Sequence, residues 1–460
     1  MVVPCDHRRE GAADERDAVH SGASADAVGA GDRSTSATES RIAPNGEEPA
    51  MRQGFRVIDT DTHVNPSLDV LLRYADTELR ERIGDLDPYR RQVKPAPGRG
   101  DAEDVDAYTL LAIKPVRLQR VAGEKARPAT EVGGDRGFLS GRTQMVTRKP
   151  ITPRTSEDNA KGRLQDMDVE GRDIDFIIPG PWAYGAPALA PHLMKGLYRA
   201  YHRYIADFCA ADPRRLKSMV LAPGNDPTWG AQVIQEHADE PWVAAVWPLL
   251  PEGLPVDDPD LEPIWAAANE ADLPIMYHGF TIETPYFPGY RDIWDNPAMG
   301  RCAGQTWGGQ RFLSFMLMGG MLDRYPNLRV AALECGHGWL PHWLVRLTRQ
   351  IDYVKGSVPA TLKHTPVEYA QMGRVFCSID FSEGVLMTKA VIDLMGDQAL
   401  MFASDYPHPE TIFPDHADTV IAWRTTLGDI AMRKLMWENA TRFFRLSSTP
   451  WSDHEARTTP

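Results

Sequence analysis

The sequence predicts an α/β fold, a (β/α)8 TIM barrel with a long insertion after its first strand, and three observations carry that expectation. About eight short apolar runs recur between residues 55 and 403. Amphipathic, helix-like stretches lie between them, the pattern of a parallel sheet covered by helices. Several runs end abruptly in a carboxylate or a histidine, and the carboxyl ends of barrel strands are where catalytic groups sit.

Residues 1–50 contain no Leu, Phe, Tyr or Trp and are rich in Ala, Gly, Ser and charge. Such a segment cannot bury enough apolar surface to offset its ordering entropy, so a disordered tail is expected ahead of a barrel spanning 51–460. The first strand, Phe55 to Ile58, runs into Asp59-Thr60-Asp61-Thr62-His63 and then Asn65-Pro66. Residues two apart on a strand share a side, so Asp59, Asp61 and His63 are expected to point one way. Asp61 and His63 can then grip one ion, and such oxygen and nitrogen ligands suit zinc, manganese or iron. The competing reading is a strand end whose polar residues start a turn.

The stretch from about 79 to 161 interrupts the rhythm with Pro, Gly and charge, as in Lys94-Pro95-Ala96-Pro97-Gly98-Arg99-Gly100. Loops beyond about 12–15 residues are usually functional or disordered. A lid, a subunit contact and a tolerated insertion all fit. Asp173 to Pro179, Leu216 to Ala222, Trp242 to Trp247 and Leu273 to Tyr277 then read as the second to fifth strands. Leu328 to Leu333, Arg374 to Ile379 and Ala399 to Ala403 complete the set, with helices at Leu193 to Cys209, Leu261 to Ala271 and Leu340 to Tyr353 among them.

The strand ends bring the chemistry together. The fifth ends in His278-Gly279, the sixth in Glu334-Cys335-Gly336-His337-Gly338-Trp339, and the eighth in Ser404-Asp405-Tyr406-Pro407-His408. In a barrel, Asp61, His63, His278 and Asp405 would meet in one pocket, and three or four N/O ligands with an open position make a catalytic metal site. Taken singly, His278 also fits a hydrogen-bonded core histidine, and Asp405 a helix N-cap. His408 and His342 are further pocket candidates, although His342 falls on a helix beginning near Pro341.

These strand-end segments, together with Gly162-Arg163-Leu164-Gln165-Asp166-Met167-Asp168, resemble the amidohydrolase superfamily over about residues 55–446. The closest likeness is to the amidohydrolase 2 branch, which includes aminocarboxymuconate-semialdehyde decarboxylase and dihydroxybenzoate decarboxylases. The resemblance implies a distorted barrel holding one divalent ion, zinc or manganese, and a homodimer. It places Asp61 and His63 on the first-strand ligand pair, His278 on the fifth-strand ligand, and Asp405 on the eighth-strand ligand or proton carrier. Two departures stand out. Asp61 occupies a place where many members have His or Glu. Glu334 occupies the register of a proton-transferring His, with His337 three residues later, so either or neither carries that proton. Binuclear members use a carbamylated lysine on the fourth strand; Trp242 to Trp247 has none, which favours a single ion.

The branch favours non-oxidative decarboxylation of a small aromatic or unsaturated acid, with His337 or Asp405 as the acid. Metal-assisted hydrolysis of an amide, lactone or related C–N/C–O bond uses the same ligands, and a barrel without catalysis, kept for binding, is the third reading. A carboxylate substrate also needs donors to position it; Arg301, Arg311 and Trp307 are candidates, or else packing residues. A net charge of −14 argues against nucleic acid. No apolar run approaches the roughly 20 residues that cross a bilayer. Arg8-Arg9 is followed by Glu10-Gly11-Ala12-Ala13-Asp14 rather than by a signal-peptide core. The 5 cysteines are scattered without a Cys-x-x-Cys pair, as in a reducing cytoplasm.

Overall fold

The computed structural model describes residues 51–93, 108–113, 118–119, 125, 127–128, 159–251, 253–279, 300–408 and 411–446. The tail expected over 1–50 and most of the 79–161 insertion lie outside the described residues. Every described residue belongs to the unit Ser40–Pro460.

Eight parallel strands form one sheet: β1 (Ile58–Val64), β2 (Ile174–Pro179), β3 (Leu216–Pro223), β4 (Val243–Leu249), β5 (Ile275–His278), β6 (Val330–Leu333), β7 (Val375–Ser378) and β8 (Leu400–Met401). Each pairs with the next in chain order. All seven residues of β1 and all six of β2 are buried, because the barrel interior takes one face and the helices the other. That two-sided burial is why the strands read as continuous apolar runs rather than as alternation.

The seam between the last and first strands is irregular. β8 is only two residues long, and the chain beyond it closes the barrel. Thr60 N donates to Phe402 O at 3.0 Å, Asp405 N to Asp61 O at 3.0 Å, and His63 N to Tyr406 O at 2.7 Å. The backbone that closes the barrel therefore carries Asp61, His63 and Asp405.

Around the sheet lie α1 (Ala160–Glu170), α2 (Pro191–Cys209), α3 (Pro227–His237), α4 (Glu262–Glu270), α5 (Thr306–Met318), α6 (Leu340–Tyr353), α7 (Gly384–Met395) and α8 (Asn439–Phe444). Proline stands in the first turn of α2, α3, α4 and α6, where its missing N–H has no helical partner to lose. Asp226 caps α3 by accepting from Trp229 N. Helix α1 ends at Gly171, whose φ of +82° needs a residue without Cβ.

The described part of the insertion begins against α2. A short helix, Thr77–Glu81, leads to a 3-10 segment, Ile83–Tyr89, and then Arg90–Val93 pairs antiparallel with Tyr108–Leu111. Leu79 is buried over Gly196 of α2, where any Cβ would sit 3.0 Å from Leu79 Cβ. Among the described residues no helix is long and apolar enough to cross a membrane.

Leu197 of α2 is fully buried in the layer between helix and sheet. Leu197→Ala is expected to cost about 2–5 kcal/mol of stability through lost apolar transfer and a residual cavity. Urea unfolding followed by circular dichroism measures it, with metal uptake per folded molecule unchanged.

Candidate metal centre

The carboxyl ends of β1, β5 and β6 and the segment after β8 bring six side chains together. Asp61, His63 and His278 are buried, while Glu334 and Asp405 keep 18% and 14% of their side chains exposed. His63 Nε2 lies 3.1 Å from both Asp61 Oδ1 and Asp405 Oδ1. His278 Nε2 lies 3.3 Å from Asp61 Oδ1 and 3.0 Å from Glu334 Oε2. The two rings meet edge to face at 5.1 Å. Beyond them His408 stacks on His63 at 4.2 Å and places Nδ1 2.6 Å from Asp405 Oδ1.

These spacings fit a single ion. Donor atoms of Asp61, His63, His278 and Glu334 all lie within 4.8 Å of one another, and those of His63, Asp405 and His408 form a second such group. Ligands about 2.1 Å from one centre in tetrahedral array stand roughly 3.4 Å apart, close to the separations seen. Asp61 Oδ1 and both ring nitrogens of His63 are buried, yet none makes a hydrogen bond of good geometry. Lone pairs that converge on a point rather than on each other explain that.

The backbone is bent to achieve the convergence. Glu334 has φ of +48° and Asp405 φ of +60°, a region that costs a residue with a side chain about 1–3 kcal/mol. Two of the carboxylates in the cluster thus sit where the backbone is strained. Glu334 is held further by Gln305 Nε2, which donates to its Oε1 at 2.7 Å from a π-helical turn, Gly300–Gln305. Gly279, just after β5, lets the chain pass the backbone of Glu334, since a Cβ there would lie 2.7 Å from Glu334 O.

Electrostatics follow the geometry. Burial alone would disfavour charged imidazoles, but the facing carboxylates of Asp405 and Asp61, each 3.1 Å from Nε2, push His63 up to about 10. Burial likewise works against His278, and Asp61 and Glu334 outweigh it and raise it to about 9. Burial works against the Asp61 carboxylate, but His278 and His63 hold it below the ordinary range. Asp405 is kept ionised against its burial by His408 and His63. In the metal-free protein both imidazoles therefore carry protons at neutral pH. An ion must displace them, so affinity is expected to rise steadily from pH 6 to pH 9 with proton release. Calorimetric titration of Mn²⁺ in buffers of different ionisation enthalpy checks it; a pH-independent affinity would contradict it. The linkage sign is set by the raised values: the stability that these histidines give the metal-free protein is full below about 6.5 and is lost as pH passes 9 to 10.

Of the remaining sequence candidates, Asp59, His337 and His342 lie outside the donor cluster. Asp59 does not join the cluster, because the β1 register shifts between Asp59 and Thr62 and its carboxylate turns to Ser404 N at 3.0 Å and to Arg172 Nη1 at 3.3 Å. His337 is fully buried with Nε2 3.0 Å from Thr388 Oγ1, while Nδ1 accepts from Asp380 N at 3.1 Å. Arg311 donates to Leu254 O at 3.1 Å, and the Trp307 ring packs edge-on to Trp343 across α5 and α6. Arg301 lies in the π-helical turn with its side chain outside the described residues. His342 is exposed on α6. What the sequence left unassigned is the buried arginine and tyrosine network beneath the seam, for which the run Gly162 to Asp168 was the visible signal.

A parallel barrel with a histidine and carboxylate donor group at its strand ends defines a metal-centred (β/α)8 protein. The amidohydrolase family profile matches residues 182–446, more than half the chain, and this protein belongs to that family. The decarboxylase orsB of Emericella nidulans is 22% identical over 202 residues, covering 43% of this chain and 60% of that protein. The chain thus matches less than two thirds of that relative's length. Among solved structures, 5-carboxyvanillate decarboxylase from Novosphingobium aromaticivorans, complexed with manganese and 4-hydroxy-3-methoxy-5-nitrobenzoic acid, is 20% identical. It covers 86% of this chain and 97% of its own, with a TM-score of 0.59. The 2,6-dihydroxybenzoate decarboxylase from Rhizobium is 20% identical and covers 63% of this chain and 90% of its own, with a TM-score of 0.50. These structural likenesses establish the fold.

Proposed function

We propose that this protein is a metal-dependent carboxy-lyase that releases carbon dioxide, without oxidation, from a small aromatic or unsaturated carboxylic acid. The observation that carries this reading is the donor group of Asp61, His63, His278 and Glu334 at the strand ends of an amidohydrolase-family barrel. Similarity to the decarboxylase orsB, and to the folds of 5-carboxyvanillate and 2,6-dihydroxybenzoate decarboxylases, the former holding manganese, supports it. The ion, when bound, supplies positive charge that holds and polarises substrate oxygens. Two carboxylates, Asp61 and Glu334, beside two imidazoles, His63 and His278, suit manganese or zinc.

This chain's own residues then act as follows. Asp61, His63 and His278 anchor the centre, and Glu334 completes it. The bond from the substrate carbon to its carboxylate breaks, and its electron pair stays on that carbon. A proton replaces the lost carbon dioxide there. Asp405, ionised at rest and bonded to His408 through Nδ1, stands at the rim to take that proton from water and pass it to the carbon. His337, with its ring nitrogens engaged by Thr388 of α7 and by Asp380 N after β7, is left out of this role.

The test is a screen of manganese-reconstituted protein against hydroxybenzoates and unsaturated acids, reading carbon dioxide release. Amides and lactones run alongside. Carbon dioxide from any acid supports the reading. Hydrolysis of an amide or lactone without it would move the assignment to a hydrolase, and a metal-loaded protein inert to all of them would favour a binding role.

A further inference from the structure

We propose that Arg163 is a positioning residue of the metal centre, setting His63 and Asp405 in register across the seam of the barrel. The inference rests on the metal-centre reading above and adds the device that holds that centre together. Arg163 comes from α1, is fully buried, and is not one of the donor residues of the cluster. Its Nη2 donates to the backbone carbonyl of His63. Its Nη1 reaches Asp175 Oδ2 on β2 at 3.3 Å, and its guanidinium lies 4.6 Å from the ring centre of Tyr406. One planar group thus grips the backbone of a β1 donor and the side chain next to Asp405.

Tyr406 is the other half of the clamp. Arg172 also lies against its ring, at 4.3 Å, and the phenol donates to Asp166 of α1. Tyr406 O accepts from His63 N at 2.7 Å, which ties the same two residues through the backbone. On the other side of Asp405, Ser404 N donates to Asp59 Oδ1 at 3.0 Å, and the Ser404 hydroxyl donates to Asp59 Oδ2. Asp405, with its φ of +60°, is therefore fixed at both neighbours. A two-residue last strand cannot impose that geometry; the buried cations and Tyr406 do so in its place. Arginine suits this task because its fork bonds and stacks at once, which a lysine cannot reproduce.

A buried arginine also has the simpler role of balancing Asp175, and Arg215 provides the comparison. It is nearly as buried, donates to Asp173 O, Arg172 O and Asp168, and touches no residue of the cluster. Manganese binding by the full-length protein, titrated by electron paramagnetic resonance at fixed pH, separates the two roles. Arg163→Lys is expected to weaken binding by about 10- to 100-fold and to alter the spectrum of the bound ion, as loss of outer support for ligands does. Arg215→Lys is expected to leave affinity within about twofold while lowering the melting temperature to a similar degree. If Arg163→Lys does not fold, Tyr406→Leu keeps an apolar filler, removes the clamped ring, and is expected to weaken manganese to the same extent. A folded Arg163→Lys or Tyr406→Leu protein with unchanged affinity and spectrum would overturn the positioning role. Failure of the unmodified protein to bind manganese would overturn the metal centre itself, and the positioning role with it.

Discussion

Replacing His278 with alanine is expected to empty the metal centre and abolish turnover. His278 is fully buried at the end of β5, and its Nε2 faces both Asp61 and Glu334. Without it, two carboxylates remain on that side with no imidazole between them. Loss of a supporting contact around a metal typically lowers affinity 10- to 100-fold, so removal of a donor should exceed about 100-fold. Elemental analysis after dialysis is the measurement, with His278→Gln as a companion that preserves volume. Retention of a full equivalent of metal by both variants would remove His278 from the site. Part of the cost falls on folding. In the metal-free protein the charge of His278 offsets that of buried Asp61, so the alanine variant should also melt lower at neutral pH.

The places where the sequence was readable share a physical cause. Strands covered on both faces become apolar runs, and each run stops where the pocket begins, so Asp61, His63 and His278 could be picked out by position alone. Side-chain direction beyond the strand end was not readable. Glu334 and Gly336 both adopt positive φ, so the chain after β6 rotates out of any strand or helix period. That rotation aims Glu334 at His278 and leaves His337 against Thr388 of α7 and Asp380, a choice on which spacing is silent. Asp59 illustrates the same limit inside a strand. Period-two alternation puts it with Asp61, yet one irregularity in the β1–β2 register gives it to the seam. Arg311 and Trp307 were plausible from composition, and packing against Leu254 and Trp343 decided their contacts.

Asp405→Asn is expected to separate holding the ion from moving the proton. Asparagine tolerates a φ of +60° and matches aspartate in shape, so the fold should survive. If Asp61, His63, His278 and Glu334 are sufficient to hold the ion, metal content stays near that of the unmodified protein. Turnover falls by about 10²- to 10⁴-fold, the usual worth of a positioned acid or base. The partner variant Glu334→Gln should do the reverse and lose metal first, because it replaces a charged donor 3.0 Å from His278 Nε2 with a neutral one. The two side chains sit on opposite flanks of the histidine pair, each on strained backbone, and only their chemistry differs in this reading. Should Asp405→Asn lose its metal while Glu334→Gln keeps it, the assignments exchange. Asp405 would then be the donor on His63, and Glu334, held by Gln305, would be the group left to carry the proton.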